Sequence, residues 1–197
     1  MQEEFTIESI VRTELKEKGS KFIGTAFPLS QMGEIEDTLQ KIRKEFSDAT
    51  HHCYAYRFNS NQYRWNDGGE PSGTAGRPIY GFLEAENLVR ILVVVTRYFG
   101  GTKLGAAGLV RAYSDCTQQT LQSAKIIVYY DMEHIRVQLP YNELSWLQQL
   151  TGNYKGKILH TQFSTDILSE ISIPKNFLRY FLDQIQSHPS GKIKVLK

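Results

Sequence analysis

Hydrophobic and polar positions first alternate with a period near two, which predicts strands over 4–15 and 20–29 around the polar turn Lys16-Glu17-Lys18-Gly19. The period then lengthens. Met32, Ile35, Leu39, Ile42 and Phe46 recur every three or four residues, the mark of an amphipathic helix. Residues 51–58 (HHCYAYRF) return to alternation and are rich in aromatics, so they read as a strand. Asn59-Ser60-Asn61 turns the chain into a short strand near Tyr63–Trp65. A glycine-rich loop follows, with Thr74 the expected N-cap and Pro78 in the first turn of a helix carrying Ile79, Phe82 and Leu83 inward. Residues 88–99 form the most apolar strand. Ile91–Val95 shows no alternation, as expected of a central strand covered on both faces. A second glycine-rich loop leads to a helix over 106–124. Its predicted inner face is Leu109, Ala112, Tyr113, Cys116, Thr117 and Leu121, and its outer face is Arg111, Ser114, Asp115 and Gln118.

From about Tyr130 the pattern changes. Strand 132–139, helix 141–151, strands 156–163 and 166–173, helix 174–187 and strand 191–196 give the β-α-β-β-α-β order of a ferredoxin-like domain. The expected architecture is therefore α+β in two domains, 1–130 and 131–197, joined through a strand-rich segment. Composition fits this. With 41% hydrophobic and 22% charged residues the chain has enough apolar material to fold, which excludes a disordered class. No apolar run approaches the ~20 residues that cross a bilayer. The opening MQEEFTIESIVRTE is acidic where a signal peptide is basic and then apolar. The expectation is a cytoplasmic protein without a membrane partner. Cys53 and Cys116 are too few and too far apart for a disulfide framework or a zinc knuckle. A net charge of +2 does not force a nucleic-acid partner, so any such reading must come from a local patch.

Two loops carry the candidate chemistry, Asp67–Arg77 (DGGEPSGTAGR) and Tyr98–Gly108 (YFGGTKLGAAG). They hold eight of the fifteen glycines, and each opens a helix. Glycine permits positive φ and lets successive N–H groups turn toward one point, where a helix N-terminus adds positive charge. Gly73, Thr74 and Gly76 in the first loop, and Gly100, Gly101 and Gly105 in the second, are the candidate anion-binding positions. The competing reading is that these glycines only make tight turns and allow close packing. Neither loop matches a phosphate-loop or G-x-G-x-x-G pattern, and nothing around Ser72 matches G-x-S-x-G.

Charge distribution says more than total charge. Asn87 to Ser114 contains no carboxylate but includes Arg90, Arg97, Lys103 and Arg111. Arg77, Arg97, Lys103 and Arg111, with Tyr98 and Phe99 available for stacking on bases, make a candidate nucleic-acid surface. Against it stands a solvated basic face whose aromatics turn inward. Asp67, Glu70 and His51 are candidate acid/base groups, although exposed-loop and helix-cap roles are commoner for such carboxylates and a structural, hydrogen-bonding role for such a histidine. Adjacent histidines on a strand face opposite ways. His51 and Cys53 therefore supply two metal ligands at best, and no metal or cofactor is expected. Cys116 and Trp146 read as core, and lysines 192, 194 and 197 as edge-strand solubility devices.

DGGEPSGTAGRPI followed by VVVTRYFGGTKLGAAGLVRAY resembles the signature of the IMPACT family in its bacterial YigZ-like branch. DATHHCYAYRF at 48–58 and KFIGTAFPL at 21–29 extend the resemblance over about the first 125 residues. It implies an N-terminal domain similar to domain IV of elongation factor G and to small-subunit ribosomal proteins, and a C-terminal domain similar to domain V. By that resemblance the expected partner is RNA or the ribosome, in a translation-linked role. Eukaryotic relatives regulate translation through a protein partner, which makes a protein-interaction module the second reading. An enzyme acting on a phosphorylated or nucleotide ligand held by both loops is the third. The family brings no established catalytic set. This chain departs from it at Asn66, where an acidic residue is usual, and at Ala107, where glycine is usual.

Overall fold

The computed structural model describes residues 3–196. The chain divides between Tyr129 and Tyr130 into two compact units. Lys197 lies outside the described residues.

The first unit is built on one five-stranded antiparallel sheet. Its strands are β2 (Val11–Glu17), β3 (Ser20–Pro28), β4 (His51–Asn59), β5 (Gln62–Asn66) and β6 (Ile91–Tyr98), in the order β2-β3-β6-β4-β5. The apolar strand β6 takes the centre, as its pattern predicts, and Ile91 to Arg97 are all buried. Alternation sends its two sets of side chains to different cores. Ile91, Val93 and Val95 pack with Phe22, Cys53 and Ala55 against α2 (Gly76–Ala85) and α3 (Gly105–Gln122). Leu92 and Val94 pack with Tyr54 on the other face, against Ile35, Leu39 and Ile42 of α1 (Glu34–Glu45). Every residue predicted for the inner face of α3 is buried.

Two boundaries differ from the sequence reading. The strand expected over 4–15 is two, because its first part, β1 (Glu4–Ile7), leaves the main sheet and pairs antiparallel with β7 (Ile126–Tyr129). Pairing partners, not any local breaker, interrupt the chain there. Thr74 is not an N-cap: its hydroxyl donates to the carbonyl of Pro71 (2.7 Å). The β2–β3 turn is a two-residue hairpin in which Lys18 (φ 46°) and Gly19 (φ 81°) both take positive φ, the combination that matches the strand twist. Its tip lies so close to Gly100 that any side chain there would strike the Gly19 backbone.

The second unit runs β8 (Met132–Leu139), α4 (Leu144–Asn153, after a single 3-10 turn at Tyr141–Glu143), β9 (Lys157–Phe163), β10 (Ile167–Pro174), α5 (Lys175–Gln186) and β11 (Lys194–Leu196). All pairings are antiparallel and the sheet order is β11-β8-β10-β9, so two βαβ halves interleave. Val137, Leu139, Ile171 and Ile173 form its core with Leu147, Leu150, Phe181 and Ile185 from the helices. Trp146 packs against this core, its ring 4.1 Å from that of His188. Both units together are α+β.

Candidate functional site

The first glycine-rich loop closes on an anion of its own. One oxygen of Asp67 accepts the amides of Ala75 (3.0 Å) and Gly76 (2.8 Å), and the other accepts that of Gly73 (2.9 Å). Asp67 thus caps α2 from outside the helix, satisfying amides that would otherwise be orphaned and complementing the helix dipole. Asn66 steadies the turn by accepting the Gly68 amide (2.8 Å), the role open to a short polar side chain ahead of a tight turn. Gly73, Thr74 and Gly76 are therefore no cradle for an external anion. Asp67 itself is engaged as the acceptor of those three amides.

Glu70 belongs to the same loop, and its side chain is only 4% exposed. One carboxylate oxygen accepts Arg97 Nη1 (2.6 Å) and the Tyr113 hydroxyl (2.9 Å). The other lies 3.8 Å from His51 Nε2. The strand pairing His51↔Arg97 puts both side chains on the α2/α3 face. His51 Nδ1 faces the carbonyl of Gly68 (3.0 Å). Arg97 also donates to Ser20 Oγ (3.2 Å), while its Nε has no hydrogen-bond partner. Cys53 contacts the Asp67 carbonyl (3.0 Å) and the Tyr113 hydroxyl (3.2 Å). Burial pushes the Cys53 thiol up to about 12 and raises the Tyr113 hydroxyl far above the ordinary phenol range. Neither is a nucleophile or acid near neutral pH. Glu70, Arg97, Tyr113, His51 and Cys53 form a buried polar knot that ties the first loop to the sheet and to α3. Ser20 Oγ, which accepts both Arg97 and the Gly100 amide, links the second loop to it.

The basic residues expected on one surface separate. Arg97 is only 4% exposed, so its assignment to an open nucleic-acid surface is corrected: β6 is buried to its end and the charge is neutralised by Glu70. Tyr98 points to the α1 face by alternation, donates to Asp48 (2.8 Å) and lies beneath the Lys21 ammonium. That hydrogen bond raises its pKa. Tyr98 therefore stands away from the α3 surface. Arg90 sits over Phe58 and donates to the Ser30 carbonyl (2.7 Å). Arg77 is exposed at the start of α2, its guanidinium over the Trp65 indole.

Lys103, two residues ahead of α3, and Arg111, in its N-terminal half, remain exposed. That helix begins without a side-chain cap and with no acidic residue in its first turn. Gly101 (φ 86°) and Gly105 (φ 71°) lead into it with positive φ, and the Gly100 amide donates to Ser20 Oγ. Ala107 lies within α3 and needs no special backbone. Beside it opens a cleft of about 270 Å³, whose charged lining is Lys18 and Arg111 with Glu17 and Asp115. Among the described residues, no three His, Cys, Asp or Glu side chains gather as a metal site, and no helix is long and apolar enough to cross a membrane.

The sequence reading missed Tyr113 as a member of the knot and Ser20 as its far anchor. A signal existed for Arg97, since alternation from Val93 and Val95 carries it inward. Its partner Glu70 lies far along the chain, and no local rule joins them.

The Impact N-terminal domain family model matches residues 18–121, which span both loops and the knot. An IMPACT family member from Haemophilus influenzae is 31% identical over 99% of this chain and 97% of its own length. The IMPACT family member YvyE of Bacillus subtilis is 34% identical over 87% of this chain and 76% of its own. The crystal structure of a hypothetical protein superposes with a TM-score of 0.69 at 28% identity, covering 100% of this chain and 97% of that one. On these matches the chain belongs to the IMPACT family.

Proposed function

We propose that this chain binds RNA in a translation-linked role and holds the phosphate backbone along the N-terminal half of α3. The observation that carries the reading is the separation of charge within the unit. The first loop neutralises its helix with Asp67 and buries Arg97 against Glu70. The second lies in the stretch Asn87–Ser114, which has no carboxylate, and leaves Lys103 and Arg111 exposed beside an acid-free helix start. An uncapped helix start flanked by cations suits a phosphate. The sequence resemblance to the IMPACT family, which implies units similar to domains IV and V of elongation factor G, supports ribosomal RNA as the kind of target. The purified chain titrated with a ribosomal RNA fragment over a salt series tests this. Binding should weaken steeply as salt rises. Absence of binding by the folded chain at low salt would overturn it.

A further inference from the structure

A second surface of the same unit has no part in the knot or the α3 face. On the edge strand β5, Tyr63 and Trp65 stack nearly parallel, with ring centres 6.2 Å apart and planes 9° apart. Tyr80 of α2 packs 5.0 Å from each of them, at 28° to Tyr63 and 35° to Trp65. Tyr80 is buried and fixed by its hydroxyl bond to Glu84 (3.3 Å). Trp65 is half-buried, while Tyr63 is 46% exposed. The result is a layered aromatic surface whose innermost ring is anchored and whose outermost ring is open. The Arg77 guanidinium lies over the indole, 5.7 Å from the ring centre.

Its charge fits one kind of occupant. Residues 49–66 contain no carboxylate, Arg77 is exposed beside the rings, and the acidic group at the layer, Glu84, is engaged by the Tyr80 hydroxyl. Rigid rings rimmed by arginine are what single-stranded nucleic acid uses: unstacked bases lie on the ring faces while cations hold the adjoining phosphates. An exposed tyrosine alone would say nothing. Three rings in contact, one locked in place, with a guanidinium already on the indole, point to a platform.

We infer that Tyr63 and Trp65 form a stacking platform for the unstacked bases of a single-stranded RNA, with Arg77 meeting its phosphates. This rests on the reading of the chain as an RNA binder and adds the strandedness that the α3 surface alone does not specify. The platform selects single strands, because bases in a duplex are already stacked.

The test uses the full chain with Trp146→Phe, which leaves Trp65 as the one indole reporter. The probes are a short oligouridylate and an RNA duplex of the same length. The single strand should quench Trp65 fluorescence. Tyr63→Ala should weaken its binding about tenfold, Tyr63→Phe should restore it, and duplex binding should be unchanged in both variants. Oligouridylate binding that leaves Trp65 fluorescence and Tyr63→Ala affinity unaltered, yet fails in Lys103→Ala/Arg111→Ala, would overturn the platform and leave the α3 reading standing. A chain that binds neither probe would overturn both. Retained circular dichroism in each variant separates lost binding from lost fold.

Discussion

The two glycine-rich loops begin from similar chemistry and end in opposite states. Each supplies four glycines, and each opens a helix that no residue at the N-cap position caps with its side chain. In the first, a carboxylate six to nine residues upstream of the amides takes three of them, and a second carboxylate neutralises a buried arginine. In the second there is no carboxylate to do either, and the cations stay in solvent. Glycine content thus says that backbone amides are presented, while the position of nearby carboxylates decides whether the protein or a ligand receives them. One loop is a structural clasp. The other is the open surface on which the proposed RNA-binding role rests.

The clasp predicts large losses of stability when it is cut. Glu70→Ala should be the most damaging change, costing about 3–5 kcal/mol because Arg97 is left charged, buried and unpaired. Urea unfolding measures this. Replacing both partners, Glu70→Leu with Arg97→Met, should cost less than Glu70→Ala alone, since no buried charge then remains. Asp67→Ala should cost about 2–3 kcal/mol, from three amides losing a charged acceptor and α2 losing its cap. On the open side, Lys103→Ala/Arg111→Ala should leave the unfolding midpoint unchanged within about 0.5 kcal/mol, because exposed cations contribute little to folding. If the two loops responded alike, the contrast between them would fail.

Smaller effects sharpen the same picture. Cys53 and Cys116 are buried and their thiols are pushed up to about 12. A thiol reagent at pH 8 should therefore find neither in the native chain and both after denaturation. His52, on the α1 face, hydrogen-bonds with Thr96, and burial followed by the Arg43 charge lowers its pKa from 6.5. The folded chain then binds fewer protons than the unfolded chain in the window just below that value. Stability is full above it and falls as pH drops through the window. His52→Gln should flatten that part of the stability profile, a modest change read by unfolding at a series of pH values.

Much of the fold was legible because its signals are local. The uninterrupted run Ile91–Val95 marked the central strand, and the spacing of Leu109, Ala112, Tyr113 and Cys116 marked the buried face of α3. What escaped was non-local. The break between β1 and β2 is made by β7, which lies over a hundred residues away in the chain. Thr74 looked like a cap because capping rules look one position ahead of a helix, whereas Asp67 reaches the same amides from across the loop. Arg97 looked like part of a surface because a carboxylate-free stretch of sequence says nothing of a carboxylate brought in from another loop. Arg111 was legible as an exposed cation because the helical period places it outward, and Lys103 because it lies in a glycine-rich loop of the carboxylate-free stretch. The Tyr63–Trp65–Tyr80 layer was invisible because Tyr80 comes from α2, and only folding brings it beneath the edge strand.

The most direct test of the open-loop account is the salt slope of RNA binding in the full chain and in Lys103→Ala/Arg111→Ala. If both side chains hold phosphates, the slope of log K against log salt for a single strand should fall by about 1.4, near 0.7 for each contact removed. Affinity at low salt should fall with it, while the unfolding midpoint stays put. An unchanged slope and affinity would contradict the claim that the α3 loop is where this protein meets RNA.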